Sequence, residues 1–147
     1  MKTFKTYLDE MVIKLRGSSS ASKEQQDKFM KDLHDTSEPH PFSHHARLIG
    51  HAQVHMSPNS EGGIHLHDLL TLKPKSGAGT HALNHIKTLA DKHNVHVEGI
   101  AKAYSKNKTH ITSTKKLKGW YEKHGFKATR GNDEDGHHIK YMPKRLH

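Results

Sequence analysis

The chain has no cysteine, which removes a disulfide framework, a thiolate metal site and a cysteine nucleophile together. Aromatic residues make up only 6% of the 147 positions and are not interleaved with basic ones. A stacking platform for single-stranded nucleic acid is therefore not expected. Hydrophobic residues reach only 31%, which predicts a small core and a sizeable polar remainder. No apolar run approaches the ~18–20 residues that cross a bilayer, so neither a membrane span nor a membrane partner is expected. Residues 1–15 interleave Lys2, Lys5, Asp9, Glu10 and Lys14 with apolar side chains, unlike the unbroken apolar stretch of a secretory signal. The expectation is a cytoplasmic protein, or one carried inside a virus particle.

Positive charge and imidazole are plentiful. The 24 Lys+Arg against 15 Asp+Glu give a net charge of +9, and there are 17 histidines. Near pH 6.5 half of unperturbed imidazoles are protonated, which takes the charge to about +17. Such a chain attracts polyanions. Lys102, Lys106, Lys108, Lys115, Lys116 and Lys118 cluster in one stretch. No zinc finger, basic zipper or RNA-recognition signature accompanies them, so nucleic acid is expected only as a weak, non-specific, salt-sensitive partner.

Hydrophobic spacing divides the chain. Phe4, Tyr7, Leu8, Met11, Val12 and Leu15 predict a helix over residues 1–16, stopped by Gly17-Ser18-Ser19-Ser20. A second helix over residues 22–33 starts at the capping pair Ser22 and Gln25 and offers only Phe29, Met30 and Leu33 as an apolar face. Glu38-Pro39-His40-Pro41 reads as a loop. Residues 46–56 form a strand broken by Gly50, and residues 64–72 form its hairpin partner across a Ser-Pro-Asn-Ser-Glu-Gly-Gly turn. A helix over residues 80–93 shows Leu83, Ile86, Leu89 and Ala90 on one face, and residues 95–101 form a short buried strand. A helix over residues 113–124 ends at Gly125, before a final hairpin of residues 126–129 and 138–142. This order predicts an α+β domain over residues 43–147, with a mixed, mainly antiparallel sheet flanked by helices. Residues 1–42 form a helical N-terminal extension and linker in this reading.

A strand leading through a glycine loop into a helix is an arrangement that binds phosphate. Gly77 and Gly79 let the backbone come close, the first N–H groups of the helix point at an anion, and Lys73 and Lys75 add charge. The loop lacks the third glycine of a dinucleotide fingerprint and the Gly-Lys-Ser/Thr ending of a P-loop. About 40 residues later stands Gly119-Trp120-Tyr121-Glu122-Lys123-His124-Gly125-Phe126.

Together these segments resemble the GNAT superfamily of acyl-CoA-dependent N-acetyltransferases. Leu72-x-Pro74, Gly77-x-Gly79, Leu83, the Tyr121-to-Phe126 run and Ile139-Lys140-Tyr141-Met142 fall in the family's order and near its spacing, over about two-thirds of the chain. Pro74 stands where the family has Arg or Gln, and Thr114 where Asn is common. The resemblance implies a GNAT-like fold and acetyl transfer from acetyl-CoA to an amine acceptor, a small molecule or a protein, by direct attack and without a metal. It places the CoA pyrophosphate at Lys75, Ser76, Gly77, Ala78, Gly79 and Thr80, and adds Thr114 to the cofactor site. It takes the backbone N–H groups that polarise the thioester from Leu70, Thr71 and Leu72, and it makes Tyr121 the acid that meets the leaving thiolate.

For the general base the sequence offers His67 or Asp68, beside His65 on the same strand. Strand alternation puts His65 and His67 on one face and Asp68 on the other. His65-x-His67 also has the spacing of two metal-binding imidazoles, but no third ligand is defined among His51, His55, His137 and His138, and no metal is expected. The alternative is a non-catalytic structural or binding protein that keeps the fold, such as a virus-particle component.

Overall fold

The structure, a computed structural model, describes residues 20–72, 76–102 and 113–144. The helix expected over residues 1–16 lies outside the described residues, as does Lys75. Along the chain the elements are α1 (Ser20–Asp35), β1 (Glu38–Pro39), β2 (Ala46–Ile49), β3 (Ala52–Pro58), β4 (Ile64–Thr71), α2 (Ala78–His93), β5 (Val97–Ala101), α3 (Thr114–Lys123), β6 (Lys127–Asn132) and β7 (Gly136–Tyr141). Seven strands form one sheet in the order β1-β2-β3-β4-β5-β7-β6. Every neighbouring pair is antiparallel except β4 and β5. The architecture is α+β, with a mixed, mainly antiparallel sheet.

Most elements follow the hydrophobic spacing. Leu83, Ile86, Leu89 and Ala90 of α2 are all buried, as their 3–4 spacing requires. Gly50 breaks the first predicted strand by adopting φ +59°, which turns β2 back onto β3. One loop is corrected: Glu38–Pro39 pairs with Leu48 and Arg47 as a short strand at the sheet edge. Proline lacks an N–H donor, but an edge strand needs hydrogen bonds on one side only.

Alternate residues of the strands join all three described helices in a single core. Val54 and Met56 of β3, Ile64 and Leu66 of β4, Val97 of β5, and Ile139 and Tyr141 of β7 lie in the same cluster as Leu83, Ile86 and Tyr121. Phe29 and Leu33 of α1 belong to it as well and are fully buried. A stretch that the sequence sets apart with the N-terminal extension thus completes the core. Its narrow apolar face is helped by polar ties. The Gln26 amide nitrogen donates to the carbonyls of Asn59 and Gly63 in the β3–β4 turn, at 2.8 and 2.7 Å. Asp32 meets Lys92 Nζ at 2.8 Å and His93 Nε2 at 2.9 Å on α2. The hydrogen bonds from Lys92 and then His93 hold its carboxyl below the usual carboxylate range.

Removing the Phe29 ring should therefore weaken the whole domain. Phe29→Ala is expected to lower the unfolding free energy by about 3–5 kcal/mol, seen as one displaced denaturant transition. A separate early transition with the main one unmoved would show that α1 is only an appendage.

Candidate active site

The site originates in the parting of two parallel strands. β4 and β5 pair at Ile64–Val97, His65–Glu98 and Leu66–Gly99, and beyond these three pairs no ladder joins them although both strands continue. At the last pair the backbones are very close. A Cβ on Gly99 would lie 2.8 Å from the Leu66 carbonyl oxygen, so only glycine fits where the strands begin to separate. The gap opens into a cleft of about 510 Å3. Leu117, Tyr121 and Ile139 line it on the helix side, and His65, His67 and Asp68 are among its polar walls.

A bulge shapes the β4 wall. Met56 pairs with Leu66 and His55 with Asp68, so His67 is the extra residue. The bulge overturns the expected alternation. His65 and His67 do share a face, with ring centroids 4.4 Å apart, but Asp68 is brought to that face too. There it lies 4.0 Å from His55 Nδ1. His55 stacks on His67 at 4.4 Å, and Ser57 Oγ lies 2.6 Å from His67 Nε2. Burial, followed by the neighbouring His65 and His55, pushes the His67 imidazole below its ordinary value. His65 makes a short polar contact: its Nδ1 is 2.5 Å from Glu98 Oε1, its partner in the middle pair of the parallel ladder.

Of the backbone donors expected at residues 70–72, two are turned toward β3 and away from the cleft. The Leu72 N–H donates to the His51 carbonyl at 2.7 Å, which takes it out of the cleft. Successive amides of a strand point to opposite edges, so Leu72 and Leu70 face β3 while Thr71 faces the parted edge. The Thr71 hydroxyl is buried and has no hydrogen-bond partner among the described residues. It sits against the helix start, since a Cβ on Gly79 would meet Thr71 Cγ2 at 3.2 Å and the Trp120 ring at 3.4 Å.

Gly77 caps α2 with φ +79°, and a Cβ there would meet no described atom within 4 Å. The first intrahelical bond runs from the His81 N–H to the Gly77 carbonyl. The N–H groups of Ala78, Gly79 and Thr80 therefore precede the helical ladder, and no acidic residue stands in that turn. The two glycines have different duties: Gly77 permits the left-handed turn, whereas Gly79 admits Trp120. α3 is capped by Ser113, whose side chain accepts from the Lys116 N–H, and Thr114 behind it is buried. His124 at the other end of α3 reaches Thr80 Oγ1 at 3.3 Å, joining α3 to the start of α2.

Tyr121 projects from α3 into the cleft with its ring between Trp120 and Phe126. Burial, followed by the charge of Asp68, pushes its hydroxyl well above the ordinary value of about 10. It stays protonated throughout the physiological range. Among the described residues no group of three or more His, Asp or Glu is arranged to hold a metal ion, and no helix is long and apolar enough to cross a membrane. The sequence signal that could have singled out Glu98 was its place in the middle of an otherwise apolar strand.

Neither a family model nor a curated protein matches the sequence. Among solved structures, the fold is similar to the crystal structure of the anti-CRISPR protein AcrVA5. The TM-score is 0.50 and the identity 14%, over 63% of this chain and 92% of that one.

The division of labour between the glycines gives a stability test. Gly79→Val should cost about 1–3 kcal/mol by overpacking against Trp120 and Thr71. Gly77→Val should cost about 1–2 kcal/mol, from the left-handed backbone alone. Pairing Gly79→Val with Trp120→Ala should recover part of its loss in denaturant midpoint, while Gly77→Val should gain nothing from that partner.

Proposed function

We propose that the protein is a GNAT-like N-acetyltransferase that moves an acetyl group from acetyl-CoA to an amine. The observation carrying this reading is the parted β4–β5 pair, with a glycine-capped helix directly after β4 and a protonated tyrosine in the gap. The helix start and the unpartnered Thr71 hydroxyl fit a phosphate-bearing, amide-rich cofactor, because the first N–H groups of α2 precede its helical ladder and the Thr71 hydroxyl has no partner among the described residues. Ser76, Gly77, Ala78, Gly79 and Thr80 would hold the pyrophosphate; Thr114, at the far end of α3 from the His124–Thr80 contact, could meet only a more distant part of the cofactor.

When bound, acetyl-CoA supplies the activated acyl group. The chain's part is to place and polarise it. The Thr71 N–H, on the parted edge of β4, is the donor suited to the thioester carbonyl. The apolar wall of Leu117, Ile139 and Tyr121 keeps water from the acyl carbon. The Tyr121 hydroxyl, held above its ordinary value, donates only as negative charge builds on the departing sulfur. The opposite mouth, lined by titratable side chains, is the approach for the amine.

Titration with acetyl-CoA tests the reading. A saturable rise in unfolding temperature is expected, and it should be lost in Gly77→Val, whose side chain projects at the pyrophosphate. No rise at millimolar acetyl-CoA would favour a structural or binding protein with this fold. For catalysis, Tyr121→Phe should lower kcat and kcat/KM alike, by about 10²-fold, with little change in acetyl-CoA affinity. Parental turnover with reduced stability would instead make Tyr121 a packing residue.

A further inference from the structure

Resting on the acetyl-transfer reading, we propose that His65, oriented by Glu98, is the base that takes the proton from the acceptor ammonium. An ionised carboxylate only accepts, so the 2.5 Å contact requires His65 Nδ1 to carry the hydrogen. In the neutral ring this leaves the lone pair on Nε2, and no hydrogen bond from a described residue to Nε2 is found. Both side chains are about one-quarter exposed, 28% for His65 and 24% for Glu98; His65 lines the cleft, and Glu98 stands behind it. The carboxylate also stabilises the imidazolium that forms when the proton arrives.

The pair is held from behind. Asn59 Nδ2 donates to the same Glu98 oxygen at 3.3 Å, while Asn59 Oδ1 accepts from the N–H groups of Glu61 and Gly63 at 2.9 and 2.8 Å. Gln26 of α1 fixes that turn through the Asn59 and Gly63 carbonyls. His67 has less support for the role, because its Nε2 is engaged by Ser57 and its ring is pressed between His55 and His65. The charged and titratable groups around His65 and Glu98 include His67 and Asp68 of β4, His55 of β3, Lys140 of β7, which lies across from Glu98, and His96 and Glu61, with His96 Nε2 3.4 Å from Asn59 Nδ2.

The step balances as follows. His65 Nε2 takes one proton from the ammonium, and the freed nitrogen pair forms the C–N bond as the C–S bond breaks. The sulfur leaves with the electron pair and receives the Tyr121 proton. The second nitrogen proton restores Tyr121 through water, and His65 returns its own to solvent. The products are the amide, the CoA thiol and one released proton.

Two acceptors separate base catalysis from every other role: a blocked Gly-Lys-Gly peptide, whose amine is protonated at pH 7, and hydroxylamine, which is already neutral there. His65→Gln should lower turnover of the peptide by about 10²-fold and leave hydroxylamine turnover near parental. Glu98→Gln should lower peptide turnover in the same direction and move the acid limb of its pH profile, with Glu98→Asp recovering part of both. Imidazole nitrogen shifts should show the Nδ1–H form of His65 in the parent, lost in Glu98→Gln. Equal losses on both amines, or a peptide-selective loss in His67→Gln or Asp68→Asn instead, would overturn the assignment. The parent reading fails separately, if the unaltered protein binds no acetyl-CoA and acetylates neither amine.

Discussion

Parallel strands that share three pairs and then diverge leave a row of backbone amides and carbonyls without ladder partners, and such groups are costly to bury unsatisfied. The divergence of β4 from β5 is the constraint on which the rest of the structure depends. Gly99 is required because the Leu66 carbonyl leaves no room for a Cβ. The bulge at His67 bends β4 away while its pairing with β3 continues to Thr71. β5 is then left with β7 as its partner along its whole length, and the Ile139 and Tyr141 side chains of β7 bring the core under the gap. Tyr121 reaches the opening from the core side, and His65, His67 and Asp68 reach it from the other.

The α+β class, the three described helices and the final hairpin could be read from the sequence because periodicity is a local property. The spacing of Leu83, Ile86 and Leu89 needs no partner to be recognised. What failed were the features fixed by pairing. Nothing local marks Glu38–Pro39 as a strand, since its only support is the β2 edge. Alternation along residues 64–71 assumes an unbroken pleat, and one extra residue at His67 moves Asp68 to the other face. The candidate site was drawn from what is local for the same reason: Gly77, Gly79 and Tyr121 stand in short contiguous motifs. Glu98 touches His65 across 33 positions, and no window along the chain contains both. Leu72 likewise loses its N–H to His51, which only the β3–β4 hairpin brings near.

The excess of positive charge pointed toward polyanions. At the cleft mouth the balance is different, with Asp68 and Asp135 against Lys102, and Glu98 immediately behind His65. Fields fall off within about 8–10 Å at physiological ionic strength, so the local set decides what approaches the gap more than the total of +9 does. An ammonium is compatible with these carboxylates, and a phosphate-bearing cofactor is better served at the α2 start, where no acidic residue stands in the first turn.

The two walls of the gap differ in a way that suits a reaction joining an acyl group to an amine. Leu117, Ile139 and the Tyr121 ring form an apolar side on the core cluster, while histidines and carboxylates form the side on the opposite sheet face. A low-polarity wall strengthens each hydrogen bond made to a developing charge, which is where an acyl carbonyl and a departing sulfur need support. Proton removal has the opposite requirement, because the base must return its proton to water after each turnover. Tyr121 lies deep on the core side of the gap, and Asp68 is more than half exposed and held by only a 4.0 Å contact with His55. His65 stands between these limits, part-exposed and anchored through Glu98 and Asn59 to the β3–β4 turn. Because Gln26 of α1 ties that turn to the core, the helix that the sequence sets aside as an extension is the outermost support of the proposed base.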